Sequence, residues 1–201
     1  TLFRTYLDKQ AFSKNKSVLM AIPAAAWIGG SLLYSLDEIY FWRALAYLAV
    51  FHFIRQQFGF MVLYSRHDRI DKSARWQWLD AAAIYAATIY PLLFWHANLK
   101  TRNFSWFVAG DFFEGLPGIL FQLGFYIYLA IMIAYLCKEI VLACRGKFNW
   151  PKNLLLAGTA LSWWTGIIAV NSDMAFTITN VVSHGIPYMA LIWLYHHRGK
   201  A

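Results

Sequence analysis

FWRALAYLAVFHFIRQQFGFMVLY, residues Phe41–Tyr64, has the length and apolar content of a membrane-crossing helix, yet His52, Arg55, Gln56 and Gln57 fall near its middle. About 20 apolar residues span the ~30 Å hydrocarbon core of a bilayer. A charge at that depth costs ~2.5–3.5 kcal/mol on insertion scales, so such residues are retained for a partner or a task. Working outward, five more apolar stretches reach spanning length. The six predicted spans are Ser17–Leu36, Phe41–Tyr64, Trp78–Ala97, Leu116–Cys144, Asn153–Ser172 and Met174–His196.

Composition points the same way. Of 201 residues, 60% are hydrophobic, 19% aromatic and 14% charged, against about 45–50% apolar and about 25% charged in soluble domains. The expectation is an all-α, polytopic membrane protein: residues 1–201 as one domain of six transmembrane helices in one bundle. Thr1 is not Met and no signal-peptide pattern follows it, which leaves room for residues ahead of it. Cys137 and Cys144, seven apart on one helix face, are too far apart for a disulfide.

Basic residues orient the bundle. With Arg43 and Lys138, which lie near span ends, assigned to the adjoining connections, 14 of the 18 Lys and Arg residues fall in the N-terminal arm, the second-to-third and fourth-to-fifth connections and the tail; three fall in the opposite connections and Arg55 lies mid-span. The positive-inside rule then places both termini in the cytoplasm, with a bacterial inner membrane as the expected location. Lys138 and Lys152 are counted among the inner-loop charges. The net charge of +8 is accounted for by this bias, and a nucleic-acid partner is not needed. The longest outer connection, NLKTRNFSWFVAGDFFEG (Asn98–Gly115), is aromatic, and its core Phe104–Phe113 is expected along the interface as a short helix or re-entrant piece.

Helix direction sets relative depth. His52 lies 11 residues after Phe41, and His184 lies 10 after Met174. At 1.5 Å per residue both are ~15–17 Å from the outer ends of spans running the same way, so the two imidazoles are expected in one layer. His52, Arg55, Gln56 and Gly59 share a helical stripe, as do Asp173, Thr177, Asn180, His184 and Tyr188. Polar stripes should face the bundle interior, which predicts one buried chamber opening outward. His96, Asp111, Glu114 and Asp173 sit at the outer end, within reach of closing it.

Three chemistries compete. A metal-dependent membrane oxidoreductase acting on a lipid-soluble substrate would use His52, His184 and His96 with one of Asp111, Glu114 or Asp173 around iron or another transition metal. Arg55, Gln56, Asn180 and Tyr188 would then position ligands and substrate. A b-type haem would take His52 and His184 axially. A carrier, or a non-enzymatic subunit of a larger membrane complex, would use the same residues as a substrate or proton route. The expected partners are the bilayer, a hydrophobic small molecule and other membrane subunits. His67, His196 and His197 are expected in solvent at the inner face. HExxH, GxSxG, P-loop and CxxCH patterns are absent from the sequence.

Overall fold

The computed structural model describes residues 6–7, 9–66 and 74–198, leaving out the side chains of residues 11, 74–76 and 195–198. Within them every regular element is helical. Helix α1 runs Lys9–Leu36 and bends at Asn15, whose φ of −123° and ψ of 20° interrupt the helix. Asp37 alone separates it from α2, Glu38–Ser65, and caps that helix by accepting a hydrogen bond from Ile39 N at 2.9 Å. Helix α3 spans Ala74–Asn98 and tightens into a 3-10 turn at Leu99–Thr101. Helix α4, Gly118–Cys144, follows Pro117. It ends in a Schellman-type turn: Lys147 N donates to Leu142 O, Gly146 N donates to Ala143 O, and Gly146 takes φ +67°. Helix α5, Trp150–Trp163, is capped by Asn149 and runs on as a π turn, Trp164–Ala169. Helix α6 is continuous through Asp173–Thr177, a second π turn at Ile178–Val182, and Ser183–Arg198.

Four stretches are long and apolar enough to cross a membrane: Phe12–Leu36, Gln77–Thr101, Gly118–Cys144 and Asp173–Leu194. That is the make-up of an integral membrane protein. The expectation of six is met only in part. Helix α2 has the length, at 28 residues, but His52, Arg55, Gln56 and Gln57 dilute its apolar content. Helix α5 is only 14 residues before its π turn.

Helix α3 is central, packing on α2, α4 and α5, whereas α1 lies against α2 with none of its apolar window buried. Two apolar clusters fill the interior. One, with Val50, Trp95, Phe112, Trp163 and Phe176, lies toward the Asn98–Gly115 connection. The other, with Met61, Leu79, Ile84, Tyr135 and Leu156, fills the opposite half. The His52–Gln57 stretch of α2 falls between them. The Asn98–Gly115 connection carries no helix beyond its 3-10 turn, so of its two expected forms the short helix is absent. It folds back instead: Phe104, Phe107 and Phe112 meet Trp95 at ring-centroid distances of 5.9 to 6.3 Å. That aromatic plug closes the end where an open chamber was expected.

Candidate functional site

The two stripes meet. The His52 and His184 rings lie edge to face, centroids 5.0 Å apart, and Phe53 packs on His184 at 4.5 Å. Gln56 Nε2 donates to the His184 carbonyl at 3.2 Å, and Tyr188 stacks on His184 at 6.3 Å. One turn before His184, the amide of Asn180 is buried and donates to Phe176 O at 3.0 Å and Thr179 Oγ1 at 3.2 Å.

Three buried polar atoms around this pair have no hydrogen-bond partner: His184 Nδ1, Gln56 Oε1 and Asn180 Oδ1. Natively buried polar groups are overwhelmingly paired. They belong to His184 itself, to Gln56, which bonds the His184 carbonyl, and to Asn180, one helical turn away, and this marks the candidate site. The local backbone also departs from regular helix. Thr179 Oγ1 bonds back to Ala175 O at 2.8 Å, and Ser183 Oγ bonds back to Thr179 O. Such back-bonding competes with the helix ladder, and Asn180 sits in the resulting π turn, a feature often found at functional sites. The α5 π turn packs against it: a Cβ added at Gly166 would run into Thr179 Oγ1.

The pair is not enclosed as expected. His52, Arg55 and Tyr188 are exposed at the side of the bundle, while His184 and Gln56 are half-buried. Among the described residues Arg55 does not reach an acid. Its Nη1 donates to Tyr85 Oη at 2.6 Å and its guanidinium lies 5.0 Å from the Phe58 ring centroid. The site therefore opens laterally.

The expected outer ligands are elsewhere. His96 uses both ring nitrogens, facing Leu92 O and Tyr47 Oη at 2.7 Å each. Asp173 is fully buried and accepts four hydrogen bonds: Ser105 N at 2.9 Å, Ser105 Oγ at 3.0 Å, Trp106 N at 2.6 Å and Phe107 N at 2.7 Å. It holds the aromatic connection on the bundle. Asp111 closes a local turn by accepting from Val108 N at 3.0 Å, and Glu114 is exposed. Beside them, partial burial of the Arg102 guanidinium pulls its pKa below the ordinary arginine value; Nη1 donates to Val170 O at 3.1 Å. Among the described residues, no three His, Cys, Asp or Glu side chains gather in a way that would hold a metal ion. A haem taken axially would need the two imidazoles on opposite sides of an iron, each ~2 Å from it. Rings in direct edge-to-face contact leave no gap for the macrocycle. His67 lies outside the described residues, as do the side chains of His196 and His197.

Sequence reasoning missed a second polar centre, at the end opposite the aromatic plug. Asp80 of α3, Lys138 and Glu139 of α4 and Lys152 of α5 form a buried, charge-balanced tetrad. Lys138 Nζ contacts Asp80 Oδ1 closely and lies 2.8 Å from Glu139 Oε1. Lys152 Nζ lies 3.5 Å from Asp80 Oδ2 and 3.0 Å from Glu139 Oε1. Asn153 Nδ2 donates to Glu139 Oε2 at 2.7 Å, and Tyr135 Oη donates to Asn153 Oδ1 at 3.1 Å. Lys138 and Lys152 are thus not loop charges. The signal was available: Asp80 and Glu139 are acids inside two predicted spans, at the end where the lysines lie. With every charge paired, the tetrad reads as a clamp joining three helices.

Scans against protein-family models, curated proteins and solved structures find no match to this chain.

Proposed function

We propose that this chain is an integral membrane enzyme that holds a lipid-soluble substrate by its polar group at the His52–His184 pair. Six helices would cross the bilayer, with both ends cytoplasmic. Helix α2 supports the count through its length. Helix α5 supports it because its 14 residues continue through six more in the π turn, together enough for a core needing about 20 residues. The basic bias supports the orientation. An impermeant thiol reagent on intact cells is expected to label a Lys100→Cys variant and to spare Lys147→Cys, both positions being exposed; the reverse pattern overturns the orientation.

The observation that carries the functional reading is the meeting of two imidazoles from distant parts of the chain beside three unpartnered buried polar atoms. A substrate hydroxyl or amide N–H placed there would donate to Gln56 Oε1 or Asn180 Oδ1, and a substrate oxygen would accept from His184 Nδ1 in the tautomer that carries its proton there. An imidazole takes a proton at one nitrogen while holding a hydrogen bond at the other. The pair is therefore suited to moving a proton to or from that polar group. Arg55 and Tyr85, on the open side, would meet a negatively charged or strongly polar substituent.

A second reading keeps a transition metal. Two imidazoles are donors that iron, copper or zinc accepts, and their 5.0 Å ring separation favours this reading. The metal-dependent oxidoreductase then rests on this smaller set, without His96, Asp111, Glu114 or Asp173.

One experiment addresses both. Protein purified into lipid nanodiscs is extracted with organic solvent for mass spectrometry and assayed for metals, alongside a His52→Ala/His184→Ala double variant. We expect a lipid-soluble compound near one per chain, reduced at least about tenfold in the double variant. This scale corresponds to ~1.4 kcal/mol or more of lost affinity. An extract unchanged by the double variant overturns the reading. Stoichiometric metal lost with the histidines would move the metal enzyme to first place.

A further inference from the structure

We propose that the outward face of α2 around Arg55 docks a transmembrane helix of a different membrane protein, whose Asp or Glu side chain pairs with Arg55. This inference rests on α2 crossing the bilayer and goes beyond the substrate reading of the histidine pair.

One stripe of α2 faces outward along most of its length: Leu45, Leu48, His52, Arg55, Gly59 and Val62 are all exposed. Their alternating steps of three and four residues make the seam along which a second helix packs. Beside Arg55 on this seam, a Cβ added at Gly59 meets no atom within 4 Å. A glycine on an open face lets another helix backbone come close. A face covered only by lipid tails would be apolar throughout. This one carries a guanidinium.

Depth and charge decide the occupant. Arg55 lies ten residues before Ser65, the last residue of α2, so it sits ~15 Å from the inner end at 1.5 Å per residue. Basic side chains near a helix end can stretch to the interface. Arg55 instead donates from Nη1 to Tyr85 Oη at 2.6 Å, with its guanidinium 5.0 Å from the Phe58 ring centroid. Tyr85 lies eleven residues after Ala74, the start of α3, ~16 Å from that inner end. The guanidinium is therefore held deep. A hydroxyl dipole and a ring face offset part of the cost of a charge there, but neither carries the negative charge that cancels it.

The nearer sources of that charge are excluded. Lipid phosphates stay outside the ~30 Å hydrocarbon core. Helix α1, joined to α2 at Asp37, holds no Asp or Glu between Lys9 and Leu36. A second copy of this chain fares no better. Of its ten acids only Asp80 and Glu139 fall within predicted spans, and both are buried in the tetrad. Two copies meeting on this face would also set Arg55 against Arg55, like charge against like. A substrate substituent reaches Arg55 only while it is bound, and the resting protein keeps the charge. Ionisable groups inside membranes pair with one another, so the standing counter-charge is an acid on a helix of another chain.

The test uses the full-length protein in sealed liposomes and a synthetic transmembrane helix of Leu and Ala with one Asp at mid-depth. Binding is read by energy transfer between dyes on the two. The Asp helix is expected to bind about tenfold more tightly than the same helix with Leu in that place, the scale of one strong interhelical polar contact. Arg55→Met is expected to abolish that preference and Arg55→Lys to keep it. Gly59→Phe fills open space on the seam and is expected to weaken binding of the Asp helix about fivefold, a loss of close approach rather than of charge. It keeps the proposal testable should Arg55→Met fold poorly. Equal binding of the Asp and Leu helices to the wild type overturns the proposal, as does a preference for Asp that survives Arg55→Met. Energy transfer between two copies of the chain, lost in Gly59→Phe, would overturn it by placing a second copy on this face. An impermeant thiol reagent labelling Glu38→Cys and Arg66→Cys, both at exposed positions, from the same side of the liposomes would overturn instead the crossing of α2 on which the proposal rests. None of these results touches the histidine reading, which is decided by the lipid-soluble extract of the His52→Ala/His184→Ala variant.

Discussion

Replacing Lys152 with Met is expected to destabilise the protein by about 3–5 kcal/mol, the usual cost of removing one partner from a buried ion pair. The side chain is fully buried between Asp80 and Glu139. Its loss leaves two carboxylates facing one ammonium, with no water to screen the excess charge. For a chain of this size, that corresponds to a midpoint lowered on the order of 10 °C, measurable by thermal unfolding in detergent. The companion variant Lys152→Met/Glu139→Gln restores charge balance and is expected to recover part of the loss, giving a coupling of roughly 0.5–3 kcal/mol. A cost below about 1 kcal/mol for the single variant would mean that the tetrad is solvated and does not clamp α3, α4 and α5.

Asp173→Ala is the second large effect. Three backbone N–H groups and one hydroxyl converge on this carboxylate. Hydrogen bonds to charged groups contribute about 1.5–3 kcal/mol each and are not additive, so a total loss of roughly 3 kcal/mol or more is expected. The damage should be local first. The 103–113 segment, with its aromatic plug, should gain hydrogen exchange and protease sensitivity before the rest of the bundle. Asp173→Asn keeps one acceptor oxygen and should cost less. If Asp173→Ala leaves exchange in that segment unchanged, the carboxylate does not hold the connection.

Much of the helical plan and the central juxtaposition were legible in the sequence, for one reason. In a helix of fixed rise, residue number is depth, so His52 and His184 fall at one level once their helices run the same way. Facing was less legible. A polar stripe was expected to turn inward, yet His52 and Arg55 are exposed, because Tyr85 and Phe58 satisfy Arg55 from the side. The outer acids were misassigned because spacing does not reveal backbone donors: the loop amides of Ser105, Trp106 and Phe107 engage Asp173. The tetrad escaped because Lys138 and Lys152 were credited to the nearest connections. Membrane depth next to a connection looks the same in sequence whether a lysine reaches solvent or a buried Asp80.

The most direct test of the account is the proximity of the two histidines. A His52→Cys/His184→Cys variant, in a background with Cys137 and Cys144 replaced by Ala, is treated in membranes with a short bifunctional thiol reagent. The account predicts an efficient intramolecular link joining the α2 and α6 peptides, and none when the partner cysteine is moved to exposed Trp193 instead. A 52–184 pair that links no better than that control would contradict it.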